Sequence, residues 1–265
     1  MKSFRQFLLC WILIVGGQAW AQVILTGTSY SENFNGITDG LPTGWSVYTS
    51  ATASSLGSSG TFYDDPIHWS SSSVATSGFR NIASDSIAYG ASMSTQNTTA
   101  DRAFGWRPLG ATTGVRDGAL TLTLANTTGF TGFSLSVSLF TANDVSGSQT
   151  YSLEYRVGNT GSFTPIATYT TPNSGASTFN AQTLSASSVT LSALNDQSSP
   201  VYLRLRGTAT SGTNLDTVGF DDFSLSYSAA AVPEPSTYAA IAGAVVFVTA
   251  VWQRRRQKTA RATQG

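Results

Sequence analysis

The chain has 265 residues with 14 Lys plus Arg against 14 Asp plus Glu, one His and one Cys. The balance is uneven: residues 22–231 hold seven Arg, no Lys and thirteen Asp plus Glu, a net charge of −6, and the remaining basic residues crowd the two ends. An acidic middle without a basic stripe argues against nucleic acid as a partner. The single cysteine, Cys10, lies so early that residues 22–231 contain no disulfide, thiol nucleophile or thiolate metal site.

Residues 1–21 read as a signal peptide. Lys2 and Arg5 form the charged start, residues 7–15 are apolar, and Ala19-Trp20-Ala21 gives a small-x-small cleavage pattern before Gln22. The apolar run is too short to span a bilayer.

Residues 22–231 are rich in Ser, Thr, Gly and Asn, with short alternating runs separated by turn residues. Along residues 133–139, Phe133, Leu135, Val137 and Leu139 take one side and serines the other, a period of two that fits a strand and no helix. Similar runs cover 119–125, 151–157, 201–206 and 220–227, with turn signals such as Asn126 to Gly129 and Gly158 to Gly161 between them. This pattern predicts one all-β domain, a two-layer antiparallel sandwich. Residues 49–60 and 70–77 are low in apolar content and are expected as surface loops or short edge strands. Arg204 and Arg206 share one strand face, with Leu203 and Leu205 on the other, and are expected to pair with acids on a sheet surface.

The last segment, 232–265, has three parts in order. Val232-Pro233-Glu234-Pro235-Ser236-Thr237 comes first, then an almost wholly apolar stretch over 238–252, then a basic end over 253–265 that begins with Arg254, Arg255 and Arg256. The apolar stretch is expected as a short transmembrane helix with the arginines as a cytoplasmic stop, which places the preceding domain outside. These parts in this order resemble the PEP-CTERM sorting signal. The resemblance implies that an exosortase acts at the motif after signal peptidase has removed residues 1–21. It also implies extended prolines at the membrane face, membrane contact through the helix before processing, and delivery to the surface or exopolysaccharide-bearing matrix of a Gram-negative-type cell.

Five blocks of the domain carry a second resemblance: Ser31 to Asn35 with Leu41 to Trp45, Asp101 to Gly105, Leu153 to Gly158, and Gly219 to Leu225. In that order they resemble jelly-roll or galactose-binding-like extracellular modules, in which the first and last strands lie side by side. The resemblance implies one cofactor, a calcium ion bridging Glu32 to Asp222 with Asp221 as neighbour. Calcium takes six to eight oxygens, so backbone carbonyls and water must complete the shell.

Catalysis finds little footing. His68 is the only histidine, so no second one is available for a zinc site, and its neighbours Asp64, Asp65 and Trp69 suit a loop or edge position. A glycosidase needs two carboxylates about 5–10 Å apart, and Asp64 with Asp65, Asp101 with Glu154, and Asp221 with Asp222 are the pairs on offer. Trp45, Trp69 and Trp106 are either core residues or stacking platforms for a sugar ring. The expected role is a non-catalytic surface or matrix protein; the alternative is a carbohydrate-binding module, and a glycan-active hydrolase ranks third.

Overall fold

In the computed structural model, residues 21–69, 78–84, 91–107, 115, 117–143, 148–171, 178–209, 216–231 and 235–262 are described. The segment expected as a signal peptide lies outside them except for Ala21, as do residues 70–77 and Val232, Pro233 and Glu234 of the expected sorting motif. The chain divides into two units, Met1–Ser228 and Ala229–Gly265.

The alternating runs of the first unit form two sheets. One contains β1 (Ser29–Glu32), β4 (Phe62–Ile67), β5 (Phe79–Ala83), β6 (Arg102–Trp106), β8 (Phe130–Asn143), β11 (Thr178–Ala186) and β13 (Thr217–Ala229). The other contains β2 (Trp45–Thr49), β3 (Ser58–Ser59), β7 (Ala119–Leu124), β9 (Gln149–Val157), β10 (Thr164–Thr170) and β12 (Val201–Ala209). The first runs β11-β8-β13-β6-β5-β4, with β1 also paired to β13, and the second β10-β9-β12-β7-β2-β3. From β7 to β9 and from β10 to β13 the chain passes repeatedly between sheets, as a jelly-roll-like sandwich requires. The five runs read from the sequence are β7, β8, β9, β12 and β13. One expectation is corrected, since β4 and β5 run parallel.

Period-two alternation places the core. Phe133, Leu135, Val137 and Leu139 of β8 are buried, and so are Leu203 and Leu205 of β12 and Phe220, Phe223 and Leu225 of β13. Each strand thus turns one row of apolar side chains toward the opposite sheet. A short helix, α1 (Met93–Thr98), was not foreseen; its N-cap Ser92 accepts the Thr95 N–H. Arg102 ties it down, because the buried guanidinium donates to Gln96 O at 2.6 Å as well as to Asn81 Oδ1 at 2.6 Å.

Parts of the outer faces are covered as well. On the seven-stranded sheet, Phe140 packs with Ile82 and Ala103, and Ile67 and Trp69 close over them. The Phe140 ring lies where Gly219 has no side chain, since a Cβ at Gly219 would fall 2.0 Å from Phe140 Cζ. On the six-stranded sheet, the segment expected as surface loops or short edge strands supplies the edge strand β3, and the part before it folds back over the strands. Arg204 donates to Thr52 O at 2.6 Å and Ser55 O at 2.9 Å, and the Phe163 N–H bonds Ala53 O at 2.7 Å.

The second unit contains α2 (Pro235–Ala262). Pro235 opens it, a position that suits proline because its missing N–H has no helical partner there, so the end of the sorting motif is helical rather than extended. Ile241, Val245, Val246, Phe247, Val248 and Trp252 are exposed, as is Arg254. Among the described residues no helix is long and apolar enough to cross a membrane, which corrects the transmembrane expectation for 238–252. Fifteen residues at 1.5 Å each give roughly 22 Å against a hydrocarbon core of about 30 Å.

Replacing Gly219 by Ala forces the Phe140 ring out of place. We expect Gly219→Ala to cost about 1–3 kcal/mol by overpacking, read from the urea midpoint. An unchanged midpoint means that the Phe140 layer does not bear on stability.

Candidate functional site

The first and last strands meet as expected. β1 pairs antiparallel with β13, Glu32 opposite Phe223 and Ser29 opposite Ser226. Farther toward its start, β13 pairs with β6, Phe220 opposite Phe104. Between these two stretches stands Asp222, in the left-handed region at φ +48°, a conformation that bulges a strand and turns its side chains.

At this junction an open cleft of about 540 Å³ is lined by Ser31, Glu32, Asn33, Asp222, Phe223 and Ser224. Two of the residues singled out in the sequence, Glu32 and Asp222, therefore share one surface. Glu32 also shapes the turn that follows it: its Oε1 accepts the N–H of Phe34 at 2.9 Å, and Phe34 has φ +53°. Phe34 then drops into the core against Trp45, ring centres 5.1 Å apart. The site thus offers two carboxylates, an amide and two hydroxyls above an aromatic floor.

Asp221 does not join them. It is buried at 2 % exposure, where Ser84 Oγ donates to its Oδ2 at 2.5 Å and the Asp222 N–H to its Oδ1 at 2.8 Å. Both oxygens are engaged away from the cleft. The three acids named for calcium accordingly do not converge, and among the described residues no group of three or more His, Cys, Asp or Glu could hold a metal ion. A calcium ion beside Glu32 and Asp222 would have to draw most of its six to eight oxygens from backbone carbonyls and water.

The tryptophans are packing residues. Trp106 is wholly buried and Trp45 is 6 % exposed; Trp45 meets Phe220 and Phe223 edge to face and donates to Tyr30 Oη at 2.8 Å. Trp69 is half-buried against the Phe140 cluster, and Thr217 Oγ1 donates to its carbonyl at 3.0 Å. Trp45 and Trp106 offer a sugar no open ring face of the kind that stacking needs.

The pair Asp101 and Glu154 is also separated. Glu154 belongs to the six-stranded sheet, whereas Asp101 precedes β6 of the other. Glu154 is committed to arginines, at 2.7 Å to Arg204 and 3.0 Å to Arg206, so the expected surface pairing of these arginines is met, with Arg204 and Glu154 buried rather than exposed. Burial lowers Arg204 to about 10 against the opposing pull of Glu154. Its guanidinium also lies 3.3 Å from the Phe163 ring centre, and that of Arg156 lies 4.4 Å from it. This aromatic and cationic stack was missed in the sequence because Phe163 stands in a loop and carries no periodic signal.

No family model matches the chain, and no curated protein does. Solved structures with a similar strand arrangement include the K1 cleaved adhesin domain of Lys-gingipain from Porphyromonas gingivalis W83, at 16% identity and TM-score 0.42 over 77% of this chain and 100% of that one. A xylan-binding module, CBM15, aligns at 10% identity and TM-score 0.41 over 77% and 100%. A xylan-binding domain from CBM 22 aligns at 10% and 0.38 over 78% and 98%. Similarity at this level does not carry a ligand from one protein to another.

The buried carboxyl of Asp221 sets a pH dependence. Burial pushes it up from 3.8 to about 7, outweighing the two hydrogen bonds that lower it, and Asp222 and Asp101 add to the rise. The unfolded chain releases this proton near pH 3.8 and the folded chain keeps it to about 7, so the folded state binds more protons in that window. The stability contributed is complete below pH 3.8, falls as pH rises to about 7 and is flat beyond, by up to about 4 kcal/mol at 1.4 kcal/mol per unit. Asp221→Asn is expected to flatten this slope in urea titrations at pH 4, 5.5, 7 and 8. A variant slope equal to that of the unaltered chain refutes the assignment.

Proposed function

We propose that this chain is an exported protein of the bacterial cell surface or extracellular matrix, whose β-sandwich acts by its presence or by binding rather than by catalysis. The observation that carries the reading is the order of parts: a charged and apolar start with Ala19 and Ala21 before Gln22, an acidic sandwich, then Pro233-Glu234-Pro235, an apolar helix and Arg254 to Arg256. Signal peptidase and exosortase are the processing partners in this reading. As a helix of about 22 Å the fifteen-residue apolar run falls short of a relaxed span of about 20 residues, so the reading rests on removal of the tail and not on a lasting anchor. Once the tail is removed, the acidic domain is free to remain in an exopolysaccharide matrix. Mass spectrometry of the mature protein from its native host is expected to give a start at Gln22 and an end near the Pro-Glu-Pro motif. An intact chain running from Met1 to Gly265 refutes export and processing together.

A second reading, glycan binding, is favoured by the cleft beside β1. Ser31, Glu32, Asn33, Asp222 and Ser224 line it, and carboxylates, amides and hydroxyls are the groups that bond sugar hydroxyls. No tryptophan lines this cleft and Trp45 and Trp106 are packed inside, so recognition there rests on these polar groups, and weak affinity is expected. On a glycan array that includes host exopolysaccharide, Glu32→Gln combined with Asp222→Asn is expected to lower binding at least about tenfold, the equivalent of 1.4 kcal/mol. Chelator is expected to leave binding unchanged. Equal binding by the double variant places any glycan elsewhere, and loss of binding in chelator restores calcium to the site.

A further inference from the structure

Away from the cleft, the space between the sheets contains polar atoms that the apolar core does not serve. Trp106 reaches in from the seven-stranded sheet and is wholly buried; Gln149 reaches in from the six-stranded sheet at 1 % exposure. The indole Nε1 of Trp106 and the amide Nε2 of Gln149 have no hydrogen-bond partner. Both are donors, and a buried donor left unpaired bears its full desolvation cost.

The two atoms lie over one floor. Gly207 of β12 faces Gly118, the residue immediately before β7, and the Gly207 N–H bonds Gly118 O at 2.9 Å. A Cβ on Gly207 would stand 2.6 Å from Gln149 Nε2 and 3.3 Å from Trp106 Cζ2, and one on Gly118 would stand 3.0 Å from Trp106 Nε1. The absence of both side chains lets the indole and the amide approach the sheet together. Gln149 is oriented from its other end, because its Oε1 accepts the Tyr151 hydroxyl at 2.8 Å. Asp216, itself buried, is close enough to Tyr151 to help raise its pKa, although burial is the larger cause.

We infer that the glycine floor beneath Trp106 and Gln149 is a built internal hydration site, holding ordered water between the two sheets. Water fits for three reasons. It can accept from N–H donors, it can return protons to the acceptors around Tyr151, and it is the smallest partner that a site between two packed sheets can admit. The role of the water is to let two polar side chains, one from each sheet, pin the layers together at a place where the glycines provide no packing.

The test uses the isotopically labelled full chain. In a water-selected NMR experiment, the indole N–H signal that disappears in Trp106→Phe should show a cross-peak to long-lived water. Gln149→Met should abolish that cross-peak while leaving the indole signal in place. A crystal structure should show density within hydrogen-bonding distance of both Trp106 Nε1 and Gln149 Nε2. An indole signal without a water cross-peak in the unaltered chain overturns the inference, and so does density in which Trp106 Nε1 donates to a protein atom. The reading of the unaltered chain stands even where a variant fails to fold.

Discussion

Strand β13 has to satisfy two partners along a single edge. Its first part bonds β6 and its later part bonds β1, while β8 takes the other edge. A straight strand would run one partner into the other, so the chain bulges at Asp222, where a positive φ breaks the ladder for one residue. The rest of the architecture follows from this bulge. The terminal strand is joined to the first, Glu32 and Asp222 come to the open surface, and Asp221 sinks onto Ser84 with its proton retained to about pH 7.

The roofing of the sheets explains why the open polar surface lies at an edge. Phe140, Trp69 and Ile67 cover part of the seven-stranded sheet, and residues 52–55, held by Arg204, cover part of the six-stranded one. These roofs are made differently. The first is apolar and depends on Gly219 leaving room for a ring. The second depends on a buried cation shared among Glu154, two backbone carbonyls and the face of Phe163. Burying such a pair is costly, and its stabilising effect rests on every donor being satisfied. Its clearer effect is to give the strap one position, because no other placement of Thr52 and Ser55 meets the guanidinium.

Hydration between the sheets and polarity at the edge belong to the same economy of packing. The sandwich is built from small residues, and glycines at 118, 207 and 219 decide where large ones fit. Where an aromatic ring fills the space, as Phe140 does over Gly219, the layer is dry. Where polar groups fill it, as Trp106 and Gln149 do over Gly118 and Gly207, water completes the packing. A domain without cysteine has no disulfide to hold its layers, so these local fits carry that task.

Much of the fold was legible in the sequence because strand periodicity is local. Phe133 to Leu139 and Leu203 with Leu205 state their own burial through alternation alone, and the adjacency of β1 and β13 followed from the order of the resembling blocks. Of the site, Glu32 and Asp222 could be named in advance, but their neighbour Asp221 could not be separated from them. Two adjacent acids look alike in sequence, and only the bulge sends one outward and the other inward. The same holds for Trp45 and Trp106, whose ring faces are hidden by residues far away in the chain, and for the loop at 52–55, whose place depends on an arginine about 150 residues later. The acidic and cysteine-free character and the strand-rich class can be read from the chain alone, since they rest on composition and near neighbours. Tertiary structure alone decided which polar residues reach the surface, because that depends on strand partners and register, and these join segments that no local pattern connects.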